Sequence, residues 1–350
     1  MTFIKGRGAP SNLPGRFESV LHEAEDDGWT NDEVTRERPS TSVRVEQAKS
    51  ILTRNDSPDI PFELSLNPYR GCEHGCVYCY ARPSHACLDL SPGLDFETRL
   101  VAKPNAADLL KAALSKSAYR PSPIALGSNT DIYQPIEREW RITREIIEVL
   151  AEARHPFSFV TKSALVERDL DLLAPLAELG LVHAFVSIGT LDRELARKLE
   201  PRAAAPQRRL EVIRNLSQAG IPAGVMVAPV IPALTDKDIE KVLEAAANVG
   251  ARSAGYVFLR LPHELKALFS QWLETHYPLK AGHVMSLVRQ SRGGRENDPR
   301  FGSRMVGSGQ FAALIAQRFR VAQQRFGLDQ GLPPHRLDLF RPPGKQESLF

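Results

Sequence analysis

Three of the four cysteines sit in one short run, Gly71-Cys72-Glu73-His74-Gly75-Cys76-Val77-Tyr78-Cys79-Tyr80, with the spacing C-x3-C-x2-C. Three thiolates on a tight loop can hold three irons of a four-iron cluster and leave the fourth iron open to an incoming molecule. Such a cluster acts as a reagent rather than as a wire for electrons. A structural zinc site asks for four ligands, usually as two pairs far apart in sequence. Only His74 or Cys87 could complete a zinc set, and His74 lies inside the loop. The spacing points to a cluster rather than to zinc or free thiols.

Such a loop needs a rigid frame. From residue 62 onward, short apolar runs rich in β-branched residues alternate with stretches of helical period. The runs are Phe62–Leu66, Ile124–Gly127, Phe157–Thr161, His183–Ile188, Gly224–Val230 and Ala254–Leu259, six expected strands. Between them, Ile239, Val242, Leu243 and Ala246 share one helical face before a stop at Gly250. Leu210, Ile213 and Leu216 precede Gly220, and Leu170, Leu173, Leu176 and Leu179 precede Gly180. Strand–helix alternation argues for an α/β fold with a parallel sheet and crossover helices. Six such units make either a doubly wound sheet or a partial barrel, and periodicity does not separate the two. Polar residues cluster where the strands end: Ser128-Asn129-Thr130-Asp131, Thr161-Lys162-Ser163 and Ser187-Ile188-Gly189-Thr190.

Outside this frame, residues 1–58 are polar and charged and read as a mobile or loosely docked extension. Residues 59–260 form the α/β unit. Residues 261–330 carry helical stretches over Glu264–Tyr277, Lys280–Gln290 and Gln310–Phe326, with an Arg/Gly-rich loop among them. Residues 331–350 form a Pro- and Arg-bearing tail. The chain of 350 residues is 42% hydrophobic and carries a net charge of +3, too small to imply nucleic acid by itself. No apolar run approaches the ~20 residues of a membrane helix. The N-terminus lacks a signal-peptide core, and the clustered cysteines do not look like a disulfide framework, so a reducing cytoplasm is expected.

The cysteine run resembles the signature of the radical S-adenosylmethionine (SAM) superfamily, with Tyr78 as the aromatic residue before the last cysteine and Tyr80 after it. Asn67-Pro68-Tyr69-Arg70-Gly71-Cys72, Thr161-Lys162-Ser163, Leu199-Glu200-Pro201-Arg202 and Gly224–Pro232 resemble the spore photoproduct lyase branch and its PA-type relatives. The resemblance implies a partial (β/α)6 TIM-like barrel with the cysteine loop just after the first strand, and chemistry at the strand C-terminal ends. It implies a 4Fe–4S cluster on Cys72, Cys76 and Cys79, SAM on the open iron, and a 5′-deoxyadenosyl radical that abstracts hydrogen in lyase-like or C–C bond chemistry. A flavodoxin- or ferredoxin-type donor would supply the electron. Lys162 and Ser187 would contact the methionine part of SAM, a lysine suiting a carboxylate as a point charge. Tyr78, Tyr80, Ser128, Asn129 and Asp131 would stand around the cofactor. Alternatively, Lys162 lines the mouth and pairs with Asp131.

The lyase repairs a thymine dimer in DNA and uses a cysteine outside its cluster as hydrogen donor. Here the only spare cysteine, Cys87, lies eight residues after Cys79, much closer than in the lyase. Cys87 is either a donor on a folded-back loop or a buried small residue, and Tyr133 and Tyr69 are alternative relays. Two further signals concern DNA. Arg292, Arg295, Arg300 and Arg304 crowd a glycine-bearing segment that can track phosphates, or else form a solvated loop with internal ion pairs. The terminus Gln346-Glu347-Ser348-Leu349-Phe350 resembles a bacterial sliding-clamp peptide, with Gln346 for register and Leu349 and Phe350 as anchors, or else pins the tail to the protein's own surface. The expected substrate is a damaged or modified DNA base. RNA or protein is the alternative, and a non-catalytic iron–sulfur DNA-binding module a third reading.

Overall fold

The computed structural model describes residues 6–17 and 40–344. The terminal residues Gln346, Leu349 and Phe350 lie outside the described residues. Ten strands run in chain order: β1 (Ser42–Val45), β2 (Leu52–Arg54), β3 (Leu64–Leu66), β4 (Tyr69–Arg70), β5 (Arg99–Ala102), β6 (Ile124–Leu126), β7 (Phe157–Thr161), β8 (Val182–Ser187), β9 (Ala223–Val230) and β10 (Ser253–Phe258). The main sheet has the order β10-β9-β8-β7-β6-β3-β2. Its six parallel members, β3 and β6 to β10, are the six expected from the sequence, and β2 adds an antiparallel edge beside β3.

This order resolves the ambiguity left by periodicity. Every crossover adds its strand on the same side of the last one, with no reversal of the kind a doubly wound sheet requires. The sheet is singly wound, its edges β2 and β10 do not pair among the described residues, and the result is a partial barrel. The helices cover it with their apolar faces. Helix Ile142–Glu152 buries Ile142, Ile146, Ile147 and Leu150, and helix Ile239–Asn248 buries Ile239, Val242, Leu243 and Ala246.

A small second sheet, β1-β5-β4, stands beside the start of the barrel. It places Gly71 and Cys72 directly after β4, where the Cys72 amide donates to the Phe96 carbonyl at 2.9 Å. The helices Leu265–His276 and Pro278–Gln290 form a second apolar cluster that reaches back to Cys76, Val77 and Tyr78. The tail runs along the opposite end of the barrel. His335 stacks on His183 at 3.8 Å, Phe340 packs on Tyr119 and His155, and the Arg341 amide donates to the Ala153 carbonyl at 2.9 Å. These contacts lie at the N-terminal ends of β8, β7 and β6, away from the cysteine loop.

The N-terminal residues also differ from the loose extension expected. Arg7, Gly8 and Ala9 are buried against the cysteine loop. The sequence hides this because the contact is made largely by backbone amides and one arginine, which leave no apolar pattern.

Candidate active site

The loop Cys72–Tyr80 sits at the C-terminal ends of the barrel strands. The Thr130 hydroxyl, from the turn after β6, donates to the Gly71 carbonyl at 2.7 Å. The Tyr80 hydroxyl donates to the Ser128 carbonyl. The Val77 amide donates to the Leu199 carbonyl at 3.0 Å. The Arg260 guanidinium, just beyond β10, lies 5.2 Å from the centroid of the Tyr80 ring. Within the loop, the Gly75 amide donates to the Cys72 carbonyl and the Cys79 amide to the Cys76 carbonyl, both at 3.2 Å, which coils the chain so that the three cysteines share one side. Gly75 has φ +68°, and a Cβ there would lie 2.4 Å from a Glu97 carboxylate oxygen, so only glycine fits the turn.

Cys72 and Cys76 are buried and Cys79 is partly buried. Burial, with Asp131 and the other two sulfurs close by, pushes the Cys72 thiol well above its ordinary value. Burial pushes Cys76 up to about 12 against the pull of Lys162. As thiolates, these two buried sulfurs would need a positive group beside them, which the iron of a cluster would supply. Among the described residues no three or more His, Cys, Asp or Glu side chains converge on a point suited to a single ion. His74 Nδ1 lies 3.2 Å from Asp131 Oδ2. Three cysteines on one loop are a donor set that fits a multi-iron cluster.

Asp131 is a structural anchor of this mouth. Besides His74, its carboxylate accepts from the Thr161 hydroxyl at 2.8 Å and from the amides of Lys162 at 2.8 Å and Tyr133 at 2.9 Å. Burial would raise its pKa, but His74 and the amides of Lys162 and Tyr133 hold it down at about 2. The expected Lys162–Asp131 pairing therefore runs through the Lys162 backbone. The Lys162 ammonium lies 5.9 Å from the centroid of the Tyr78 ring, where burial works against its charge and Cys76 and Glu200 sustain it above the ordinary lysine value.

The sequence reading missed the group beneath Lys162. Glu200, buried, forms an ion pair with buried Arg209 and accepts from the Tyr78 hydroxyl. Arg209 also donates to the Ser187 carbonyl at 2.8 Å and to the Ala204 carbonyl at 2.7 Å. Burial alone would raise the Glu200 carboxyl, yet Arg209 and Lys162 keep it below its ordinary value. A signal was present: Arg209 lies on the helical face of Val212, Ile213 and Leu216, an inward position that an unpaired arginine cannot hold. Replacing Glu200 by Gln leaves Arg209 buried without its countercharge, and we expect a loss of roughly 3 kcal/mol or more in apo-protein stability by denaturant titration. An unchanged midpoint would show the pair to be dispensable.

Of the other expected site residues, Ser187 is buried, and its hydroxyl donates to the Ala228 carbonyl at 3.1 Å. Ser128 and Asn129 are tied to Asn67: Asn67 Nδ2 donates to the Ser128 hydroxyl at 3.1 Å, and the Asn129 amide donates to Asn67 Oδ1 at 2.7 Å. Three expectations are corrected. Cys87 is neither buried nor folded over the site: it is exposed on the turn Arg82–Leu88, whose His85 and Ala86 face inward instead. Tyr133 is fully buried, edge-on to Phe159 at 5.7 Å, so it belongs to the core rather than the mouth. Tyr69 is likewise buried, with its hydroxyl donated to Glu137.

The arginine segment divides. Arg292 is buried and donates to the carbonyls of Leu259 at 2.6 Å, Phe258 at 3.3 Å, and Ser303 and Arg304 at 2.9 Å, which corrects its expected place at a nucleic-acid surface. Arg304 is partly buried and paired with Asp59 at 2.6 Å. Arg300 pairs with Asp298 at 2.9 Å but is 74% exposed, and Arg295 is exposed. Phe301, next to Arg300, is exposed as well. Ion pairs internal to the segment join Arg300 to Asp298 and Arg289 to Glu296, whereas the anchors bind carbonyls and Asp59, a difference that arginine count alone did not reveal.

A singly wound parallel barrel with a three-cysteine loop at its strand ends defines an iron–sulfur enzyme with its chemistry at the barrel mouth. The family model of the Radical SAM superfamily matches residues 66–246, and the chain belongs to that superfamily. An uncharacterised protein of Mycobacterium tuberculosis H37Rv is 39% identical over 245 residues, 69% of this chain and 72% of its own length. The radical SAM Nα-GlyT isomerase of Pseudomonas phage M6 is 28% identical over 228 residues, 64% of this chain and 42% of its own. The structure of spore photoproduct lyase complexed with dinucleoside spore photoproduct shares the fold, with a TM-score of 0.59 at 18% identity over 81% of this chain and 79% of that one. The protein is thus a radical SAM enzyme that uses a 4Fe–4S cluster and SAM and takes electrons from a reductant. Bound at the mouth, cluster and SAM would supply radical chemistry for hydrogen abstraction. Family membership sets aside the non-catalytic module. No helix among the described residues is long and apolar enough to cross a membrane.

Proposed function

We propose that this enzyme acts on a base of DNA, with Cys72, Cys76 and Cys79 as cluster ligands and Lys162 as the contact for the SAM carboxylate. The carrying observation is the loop 292–306 beside the mouth. Arg260 joins the two, with its guanidinium on the Tyr80 ring and Nη1 3.6 Å from Met305 Sδ. On that anchored loop, Phe301 is exposed with the Arg304 guanidinium 4.8 Å from its ring centroid, and Arg295 and Arg300 of the same loop are outward, a combination of ring and cations suited to a nucleic-acid strand. A protein of the same fold binds a dinucleoside, which supports the reading. Tyr78, Tyr80, Ser128, Asn129 and Ser187 complete the cofactor surroundings, and a flavodoxin- or ferredoxin-type protein in the cytoplasm delivers the electron. The terminal Gln346, Leu349 and Phe350 recruit the enzyme to the sliding clamp in DNA repair.

The test is anaerobic. Reconstituted, reduced protein is given SAM, and 5′-deoxyadenosine is measured with and without ultraviolet-irradiated DNA. Release that rises with irradiated DNA is expected; release indifferent to DNA but raised by RNA or a protein fraction sends the substrate elsewhere. The double variant Arg295→Ala/Arg300→Ala should reduce the slope of log affinity for DNA against log salt by about one per arginine removed. An unchanged slope removes this loop from the interface. Deleting residues 346–350 should end clamp binding and leave SAM cleavage intact.

A further inference from the structure

The N-terminal residues make contacts that the radical chemistry does not by itself require. The amides of Gly8 and Ala9 donate to the two oxygens of the Glu97 carboxylate at 3.0 and 2.7 Å. Arg7 donates to the Glu97 carbonyl at 3.0 Å and to the Thr41 hydroxyl at 3.1 Å, and Thr41 in turn donates to Glu73 at 2.6 Å. Glu73 lies between Cys72 and Cys76 and also pairs with Arg202 at 2.8 Å. Ala9 packs with Cys76, Val77 and Tyr78. The approach is backbone to backbone: a Cβ on Gly8 would lie 1.7 Å from the Gly75 carbonyl oxygen, so no side chain fits there.

The other end of this segment is tied down separately. The Ser91 hydroxyl donates to the Leu13 carbonyl at 2.7 Å, Asn12 exchanges hydrogen bonds with Asp95 at 3.0 and 3.1 Å, and Arg16 pairs with Glu264 at 3.1 Å. The segment thus bridges the cysteine loop and the start of helix Leu265–His276. Its grip is indirect at the centre. Glu97 also holds Arg82 at 2.6 Å, and Arg82 donates to the Gly75 and Cys76 carbonyls at 3.1 and 2.8 Å. Strap, carboxylate, guanidinium and loop carbonyls form one chain of contacts.

We propose that residues 7–16 are a working part of the cluster site: a strap that fixes the Gly75–Val77 turn and shields the cysteine sulfurs from water and dioxygen on that side. The residues that orient metal ligands commonly change metal retention about 10- to 100-fold when altered, and the strap acts through such residues. It orders the loop before any cluster is present, so its loss is visible in the apo-protein.

Two variants of the full chain test it: deletion of residues 2–11, and Gly8→Val. In apo-protein, amide exchange of residues 72–80 is measured by mass spectrometry. In reconstituted protein, iron content after desalting and the bleaching rate of the cluster absorbance in air are measured. The expected result is exchange and bleaching about tenfold faster, with lower iron content and an unchanged far-ultraviolet circular dichroism spectrum. Full-length values for all three in a folded deletion variant overturn the proposal. Should the deletion fail to fold, Gly8→Val decides on the same readings, because that substitution displaces the strap and leaves every cysteine and the barrel sequence intact.

Discussion

Cys76→Ala is expected to lose SAM cleavage to background while the barrel stays folded. Two remaining sulfurs cannot hold a cluster that presents one open iron, and Cys87, the fourth cysteine of the chain, is exposed on the turn beyond the loop. The fold does not depend on this sulfur. The Cys76 carbonyl, not its side chain, receives Arg82, and the Cys79 amide bonds to the same carbonyl. Removing one buried sulfur costs about 1 kcal/mol, a small part of the stability of a domain this size. The variant should therefore show apo-protein melting close to that of the unaltered chain, little iron after reconstitution, and no 5′-deoxyadenosine. Cleavage at the unaltered rate would refute the assignment of Cys76 as a ligand. Collapse of the fold would contradict the separation of site from frame.

The frame was legible because it is written in periodic apolar residues. Phe157–Thr161 stands as expected, and the other five parallel strands lie within two residues of their expected positions. Periodicity reports which residues are buried but not on which side a new strand is added, so the barrel order came only with the register of β3 to β10. Sequence spacing singled out the cysteine triplet because all three lie on one loop. It did not find the polar groups that hold the loop. Glu97, Glu200, Arg209 and Arg7 come from separate segments, and except for Arg209, which shares a helical face with Val212, Ile213 and Leu216, each reads by itself as an ordinary surface charge. Their burial is tolerable only through partners that the fold supplies. Cys87 shows the converse: cysteine is commonly buried, but the turn Arg82–Leu88 gives its inward positions to Arg82, His85 and Ala86.

Arg82→Met should be the most destabilising substitution at this site. Arg82 is fully buried and donates to the carbonyls of Gly75, Cys76, Pro92 and Gly93 as well as to Glu97, so one guanidinium joins the cysteine loop to the turn before Asp95. Methionine matches its length but leaves Glu97, itself fully buried, without its guanidinium partner. Breaking such a pair from one side costs about 3–5 kcal/mol, well above the Cys76→Ala cost. Four carbonyls lose a charged donor in addition. Arg82→Lys retains the charge but not the planar fork that reaches several acceptors, so it should fall between the two. The cause can be isolated by the double variant Arg82→Met/Glu97→Leu. With neither member of the pair left without its partner, it should recover much of the lost stability in a denaturant titration. It should not recover cluster retention, because the Gly8 and Ala9 amides no longer have the Glu97 carboxylate to hold them. Recovery of both would make the carboxylate a matter of charge balance alone. Recovery of neither would place the role of Arg82 in its carbonyl contacts rather than in the ion pair.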